Sequence, residues 1–96
     1  MPAYSITEVQ VVDQDGFKRY RELAQAAVRK YGGRFLVQGA DPIVAEGKWP
    51  RGQRVVLIEF MSMKQLRTWY DSAEYKKARA IARTALRRRL IFVEGN

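Results

Sequence analysis

A chain with no histidine and no cysteine has few groups left that can do chemistry. Histidine is the commonest general base and metal ligand, and cysteine supplies thiolate nucleophiles and zinc ligands. Without them the chain cannot build a Ser–His–Asp or Cys–His arrangement, a Cys-bound zinc or iron–sulfur cluster, or a histidine-ligated haem. No metal and no cofactor is expected. Any reaction must rest on Asp, Glu, Lys, Arg, Tyr or Trp, or on the substrate itself.

Two of these stand out as candidate catalytic residues, Arg54 and Glu59, both in the run QRVVLIEF at 53–60. The planar fork of Arg54 suits a carboxylate or an enolate, with a salt bridge at the sheet end as the structural reading. Glu59 falls where a strand otherwise turns apolar groups inward. If buried, its pKa rises toward that of a base; the competing role is a hydrogen bond to the Ser72–Tyr75 turn. A strand alternates faces, so Arg54 and Glu59 point opposite ways and cannot pair directly. Trp49, Arg54, Trp69, Tyr70, Ser72 and Tyr75 form the candidate ligand-binding set. Each also has a structural reading. Trp49 plugs a barrel end or a subunit contact, Trp69, Tyr70 and Tyr75 pack as core, and Ser72 caps a helix. Tyr4 and Tyr20 offer further hydroxyls, or serve as core aromatics.

The elements that position them read out in order. Residues 3–12, AYSITEVQVV, carry β-branched and aromatic side chains without Gly or Pro, and predict a strand. Asp13 or Asp15 caps a helix whose apolar face is Phe17, Tyr20, Ala24, Ala27, Val28 and Tyr31. Gly32-Gly33 ends it, with one glycine left-handed. Residues 34–38 predict a short strand, IVAEG a brief edge strand, and GKWPRG a loop. The 53–60 run is the strongest strand. Ser62-Met63-Lys64-Gln65 fits a capping box for the next helix, which breaks at Asp71 or Ser72 and resumes from Ala73 to about Arg87. Residues 89–94 close the domain as a last strand. The order β-α-β-β-α-β predicts a single α+β domain over residues 1–96, a ferredoxin-like sandwich with an antiparallel sheet and helices on one face.

That fold creates a difficulty at 53–60. Val55 and Leu57 point to one face, and Val56, Ile58 and Phe60 to the other. Helices cover only one, so the bare face would expose more aliphatic surface than a monomer usually carries. A homodimer, sheet against sheet around a barrel-like core, is the expected solution. The composition, 47% apolar and 29% charged, is that of a soluble globular domain, without a membrane-spanning run or secretory signal, and the expected compartment is the cytoplasm. The net charge of +8 raises a nucleic-acid partner, concentrated in Lys76, Lys77, Arg79, Arg83, Arg87, Arg88 and Arg89. RNA-recognition domains of this topology stack bases on aromatics of the third strand. Here that strand reads Arg51-Gly52-Gln53-Arg54-Val55-Val56-Leu57, with none. A solvated basic helix face is the preferred reading.

The chain resembles the proteins grouped as domain of unknown function 1330, in the dimeric α+β barrel superfamily. The resemblance rests on Asp13 and Tyr20, Gly32-Gly33, Glu46-Gly47-x-Trp49, Arg54 before Val-x-x-x-Glu59-Phe60, Ser62, Trp69-Tyr70-x-Ser72-x-Glu74-Tyr75, and Val93-Glu94-Gly95. It departs from the family pattern at Ala82, where arginine is common, and at Ala73, where proline is usual. The resemblance implies a small-molecule pocket between sheet and helices or within a barrel. Its superfamily includes cofactor-free monooxygenases, lactone isomerases and haem enzymes, the last excluded here by the missing histidine. The expected protein is a small-molecule-binding homodimer. It would act without cofactor on a small organic acid or aromatic ligand, with Arg54 stabilising negative charge and Glu59 or a tyrosine moving the proton. A ligand-sensing or structural dimer without catalysis is the alternative, and a nucleic-acid binder comes last.

Overall fold

The computed structural model describes residues 1–96. Strand β1 (Ala3–Val11) leads through helix α1 (Gln14–Lys30) to strands β2 (Arg34–Ala40) and β3 (Arg54–Phe60). Helices α2 (Met63–Tyr70) and α3 (Ala73–Ala85) follow, then strand β4 (Leu86–Glu94). The strands pair antiparallel in the order β2-β3-β1-β4, the ferredoxin-like α+β arrangement the sequence predicts.

The local signals act much as their chemistry dictates. Asp13 caps α1 by accepting from the Asp15 N–H at 3.2 Å. At the other end Gly32 takes φ 78°, while the N–H of Gly33 reaches the Val28 carbonyl and that of Gly32 the Arg29 carbonyl. These are the two bonds of a Schellman cap. Gly33 has a second constraint, because a Cβ there would lie 2.6 Å from the Phe60 ring. Ser62 accepts from the Gln65 N–H at 3.1 Å, but only half of the expected capping box forms. The Gln65 amide donates instead to the Tyr31 carbonyl at 2.6 Å, tying α2 to the end of α1.

Three boundaries differ from expectation. Strand β2 runs on to Ala40 through two register shifts, with Gly39 at φ 82°. The edge strand expected at IVAEG is an exposed loop, with Ile43 98% exposed. Strand β2 already forms the sheet edge, and its bulges twist it away from further pairing. Helix α3 stops at Ala85, and β4 starts at Leu86 rather than at 89. The cause is tertiary: the Ala85 carbonyl accepts from Val12 and Asp13 N–H groups at 2.8 and 3.1 Å, and its methyl lies against Gly16. Those bonds anchor the chain to the end of β1 and turn it straight into the strand.

The core lies between the sheet and the helices. Trp69, Tyr75, Phe60, Leu66 and Val28 are fully buried there, each burial contributing roughly 1.5–3 kcal/mol. A smaller cluster of Val9, Ala82, Ala85 and Leu86 extends it past the end of α3. The other face of the sheet has no layer over it. Ile6, Val55 and Leu57 are half-buried there, and Ile91 and Val93 are exposed. No helix is long and apolar enough to cross a membrane.

Candidate functional site

Strand register decides which side chains meet beneath the helices. On the covered face Arg54 of β3 and Arg88 of β4 both pair with Val9 of β1, so the three form one row across the sheet. The next inward row is Gln38, Val56, Thr7 and Leu90, and the one after it Phe35, Ile58, Ser5 and Phe92. Phe17, Tyr20, Arg21, Ala24 and Val28 of α1 lie above, with Trp69 and Tyr75 closing one side. Between these layers is a cavity of about 300 Å³ whose lining is mostly hydrophobic and includes no Asp or Glu. Its size and apolar character are those of a small-molecule site.

Its polar focus is a three-residue cluster. Arg88 Nη1 donates to the hydroxyls of Tyr20 and Tyr75 at 2.9 Å each, and those hydroxyls lie 2.8 Å apart. One phenol donates to the other. A hydroxyl has a single hydrogen, so the accepting phenol keeps its own free for something else. The guanidinium also sits over both rings, 5.3 Å from the Tyr20 centroid and 6.0 Å from that of Tyr75. No carboxylate reaches it, since the ion pairs are Lys30–Glu74, Arg34–Glu59, Arg54–Asp41 and Arg89–Glu8. Burial, then the neighbouring Tyr75, pushes the Tyr20 phenol well above its ordinary range. It therefore stays protonated, accepting from Arg88 and sharing a single hydrogen bond with Tyr75. Burial works to lower the pKa of Arg88, but the phenol oxygens outweigh it and the net shift is upward. The cation is permanent. Trp69, which also lines the cavity, has an indole N–H buried without an acceptor.

Of the residues singled out from sequence, Arg54, Trp69 and Tyr75 line the cavity. Arg54 stands at its mouth, half-exposed, with a loose partner in Asp41 at 3.9 Å. Trp69 packs on Phe60 and Tyr75, with centroids 5.2 and 4.2 Å away. The others lie elsewhere. Ser72 caps α3: its Oγ accepts from the Tyr75 N–H and donates to the Trp69 carbonyl. Tyr70 stacks on Phe92 and lies under Arg79, outside the cavity. Trp49 folds onto its own loop, its indole donating to the Gln53 carbonyl at 3.0 Å. Glu59 is on the uncovered face, bonded to Arg34 at 2.8 Å and opposite Tyr4. It reaches neither the cavity nor the Ser72–Tyr75 turn, so the proton-moving role expected of it does not fit its position. Tyr4, its register partner, is likewise outside. No cluster of His, Cys, Asp or Glu is arranged to hold a metal.

The structure also divides the basic segment, which is not one helix face. Lys76, Lys77 and Arg83 are exposed on α3, whereas Arg87 and Arg89 lie on the uncovered face of the sheet. Arg88 turns inward. Its signal was in the sequence, because Leu90 and Phe92 point to the core and Arg88 precedes them by the same period of two. Extending the helix to Arg87 conceals it.

A four-stranded antiparallel sheet in the order β2-β3-β1-β4 with helices on one face is a ferredoxin-like α+β fold. The family model described as "Domain of unknown function (DUF1330)" matches residues 2–96, and the chain belongs to that family. No curated protein matches it. Among solved structures it is similar to the RPA0582 protein of unknown function from Rhodopseudomonas palustris. That match has 17% identity over 99% of this chain and 82% of that one, with a TM-score of 0.76. It is also similar to SnoaB, a cofactor-independent oxygenase from Streptomyces nogalater, at 8% identity over 99% and 93% of the two chains, TM-score 0.73. A third is Rv0793 from Mycobacterium tuberculosis, at 18% identity over 100% and 96%, TM-score 0.65. These likenesses establish a shared fold.

Proposed function

We propose that the protein is a homodimer, each subunit of which binds one small organic ligand in the cavity between α1 and the sheet. The observation that carries this is the Tyr20–Tyr75–Arg88 cluster: a cation and a free phenolic hydrogen converge on an apolar cavity of about 300 Å³. Buried polar groups are normally satisfied, and a fixed set aimed at one space is what orients a ligand. A cofactor-independent oxygenase built on the same fold supports a cavity that works on an organic molecule without cofactor. The cluster can stabilise negative charge on a bound oxygen. A reaction that needs a protein carboxylate as base has none in the lining, so ligand binding is the primary reading.

The dimer follows from the other face. Ile6, Val55, Leu57, Ile91 and Val93 form an apolar band on a surface that no helix covers. A second copy set against it, sheet to sheet, would bury that band on both subunits.

Two measurements test these claims. In a Trp49→Phe variant Trp69 is the sole tryptophan, and its fluorescence reports on the cavity. Small aromatic and aliphatic acids should change it saturably; a folded protein indifferent to all of them contradicts the reading. Light scattering at micromolar concentration should give twice the monomer mass, and a stable monomer removes the dimer.

A further inference from the structure

The proposed ligand site has a direction. Arg54, Val9 and Arg88 share one row on the covered face, with Val9 between the two arginines. Neighbouring strands lie about 4.8 Å apart, so the arginine backbones are about 10 Å from each other, within reach of two long side chains bending over Val9. Arg21 of α1 lines the same cavity. Three cations thus line a space with no carboxylate in its lining, and the one ion pair that involves any of them is Arg54–Asp41, at 3.9 Å. Like charges gathered around one space repel, and Arg88, the half-buried one, also loses hydration. Behind this row, about 6.7 Å further in, Val56 and Leu90 flank the uncharged Thr7, with the uncharged Gln38 beside Val56, and Ile58 follows, so the floor carries no charge beyond the arginine row. The wall there is Trp69 and Val28.

We infer that the cavity takes an amphipathic organic anion, a monocarboxylate on an aromatic or aliphatic body, held head to the Arg54–Val9–Arg88 row and tail toward Ile58 and Trp69. The carboxylate lies between the two guanidiniums and accepts the free phenolic hydrogen of the Tyr20–Tyr75 pair, neutralising charge that the protein itself leaves unpaired. Charge-assisted hydrogen bonds from arginine to carboxylate are roughly twice as strong as neutral ones, so the head dominates selectivity. The apolar body contributes by area and tolerates variation in shape. This inference rests on the ligand-binding reading above and adds the sign and orientation of the ligand.

Isothermal titration with phenylpropionate and with phenylpropanol separates the two. They share a body and differ in the charged head. The wild-type protein should bind the acid at least about tenfold more tightly than the alcohol, a difference of about 1.4 kcal/mol. Arg88→Met should remove that preference, so that acid and alcohol bind alike, and Arg54→Met, at the exposed rim, should reduce it. Arg89→Met, on the opposite face, should keep it. Equal affinity for acid and alcohol overturns the anion inference and leaves the cavity as a binding site. Failure of both probes to bind at millimolar concentration overturns the binding reading together with it. Loss of preference in Arg89→Met as well as in Arg88→Met also counts against the proposal, because it would trace the effect to net charge and not to the row.

Discussion

On the uncovered face of the sheet Arg89 meets Glu8 and Arg34 meets Glu59, whereas on the helix side Arg88, one residue from Arg89, meets two phenols and no carboxylate. The two faces use the same residue type for different ends. Exposed pairs such as Arg89–Glu8 contribute little to stability and serve mainly to keep charges tolerable on a face that is otherwise apolar. An arginine in a half-buried apolar setting with no counter-ion contributes nothing comparable. Its burial costs hydration, which the two phenol oxygens offset, but no negative charge neutralises it. Charge balance on an exposed surface therefore accounts for Arg89 and Glu59 but not for Arg88. The proposed ligand would bind on the side where a cation has no counter-ion.

Substitutions can break or sharpen that contrast. The largest effect is expected on the covered side. Trp69→Ala removes a fully buried ring from between Phe60 and Tyr75 and should lower stability by about 3–5 kcal/mol in urea denaturation. On the uncovered side, Ile91→Arg places a charge in the apolar band. It should leave the circular dichroism spectrum intact while light scattering reports a monomer. A preserved dimer would mean that subunits meet elsewhere.

The paired and unpaired arginines come next. Arg88→Met exchanges an uncompensated cation for an apolar chain of similar length, so the urea midpoint should stay level or rise. Tyr75→Phe, which removes one hydroxyl from the cluster, should cost about 0.5–1.5 kcal/mol. Arg89→Met should leave the urea midpoint nearly unchanged. If Arg88→Met proves markedly destabilising, the residue is structural and the contrast between the faces fails.

The smallest effect is in acid. Glu74 bonds to Lys30 and to Tyr31, and these contacts, Lys30 first, lower its pKa to about 2. A folded pKa below the unfolded value near 4.5 means the contribution is present above that value and fades as pH falls toward 2. Lys30→Met should flatten the stability profile across that window by lowering stability at neutral pH, while leaving it unchanged once the pH has fallen to about 2.

Much of the fold was legible because its signals are local. Period two marks the strands, the i, i+3, i+4 face of Phe17 to Tyr31 marks α1, and Ser62 and Ser72 mark helix starts. The two-faced apolarity of Val55–Phe60 is enough by itself to announce a sheet face that no helix covers. What stayed hidden depends on contacts between distant segments. Helix α3 gives no local sign of stopping at Ala85; the stop comes from the Val12 and Asp13 N–H groups at the far end of β1. That one boundary carried Arg88 with it, from an inward strand position to an apparent helix face. Gln65 shows the same limit, its capping amide drawn off by the Tyr31 carbonyl. Within the candidate site, Trp69 and Tyr75 were legible as aromatics at helical spacing, and Arg54 as a cation opening a strand. The phenol pair was not, because Tyr20 and Tyr75 stand 55 residues apart and meet only through the packing of α1 on α3.

The most direct test of the account is a crystal structure of the protein soaked with phenylpropionate. The account predicts density in the cavity between α1 and the sheet, with the carboxylate within hydrogen-bond distance of Arg88 and of a Tyr20 or Tyr75 hydroxyl, and the ring against Ile58 and Trp69. A cavity closed by its own side chains, or a ligand bound only on the face carrying Arg89 and Glu59, would contradict it.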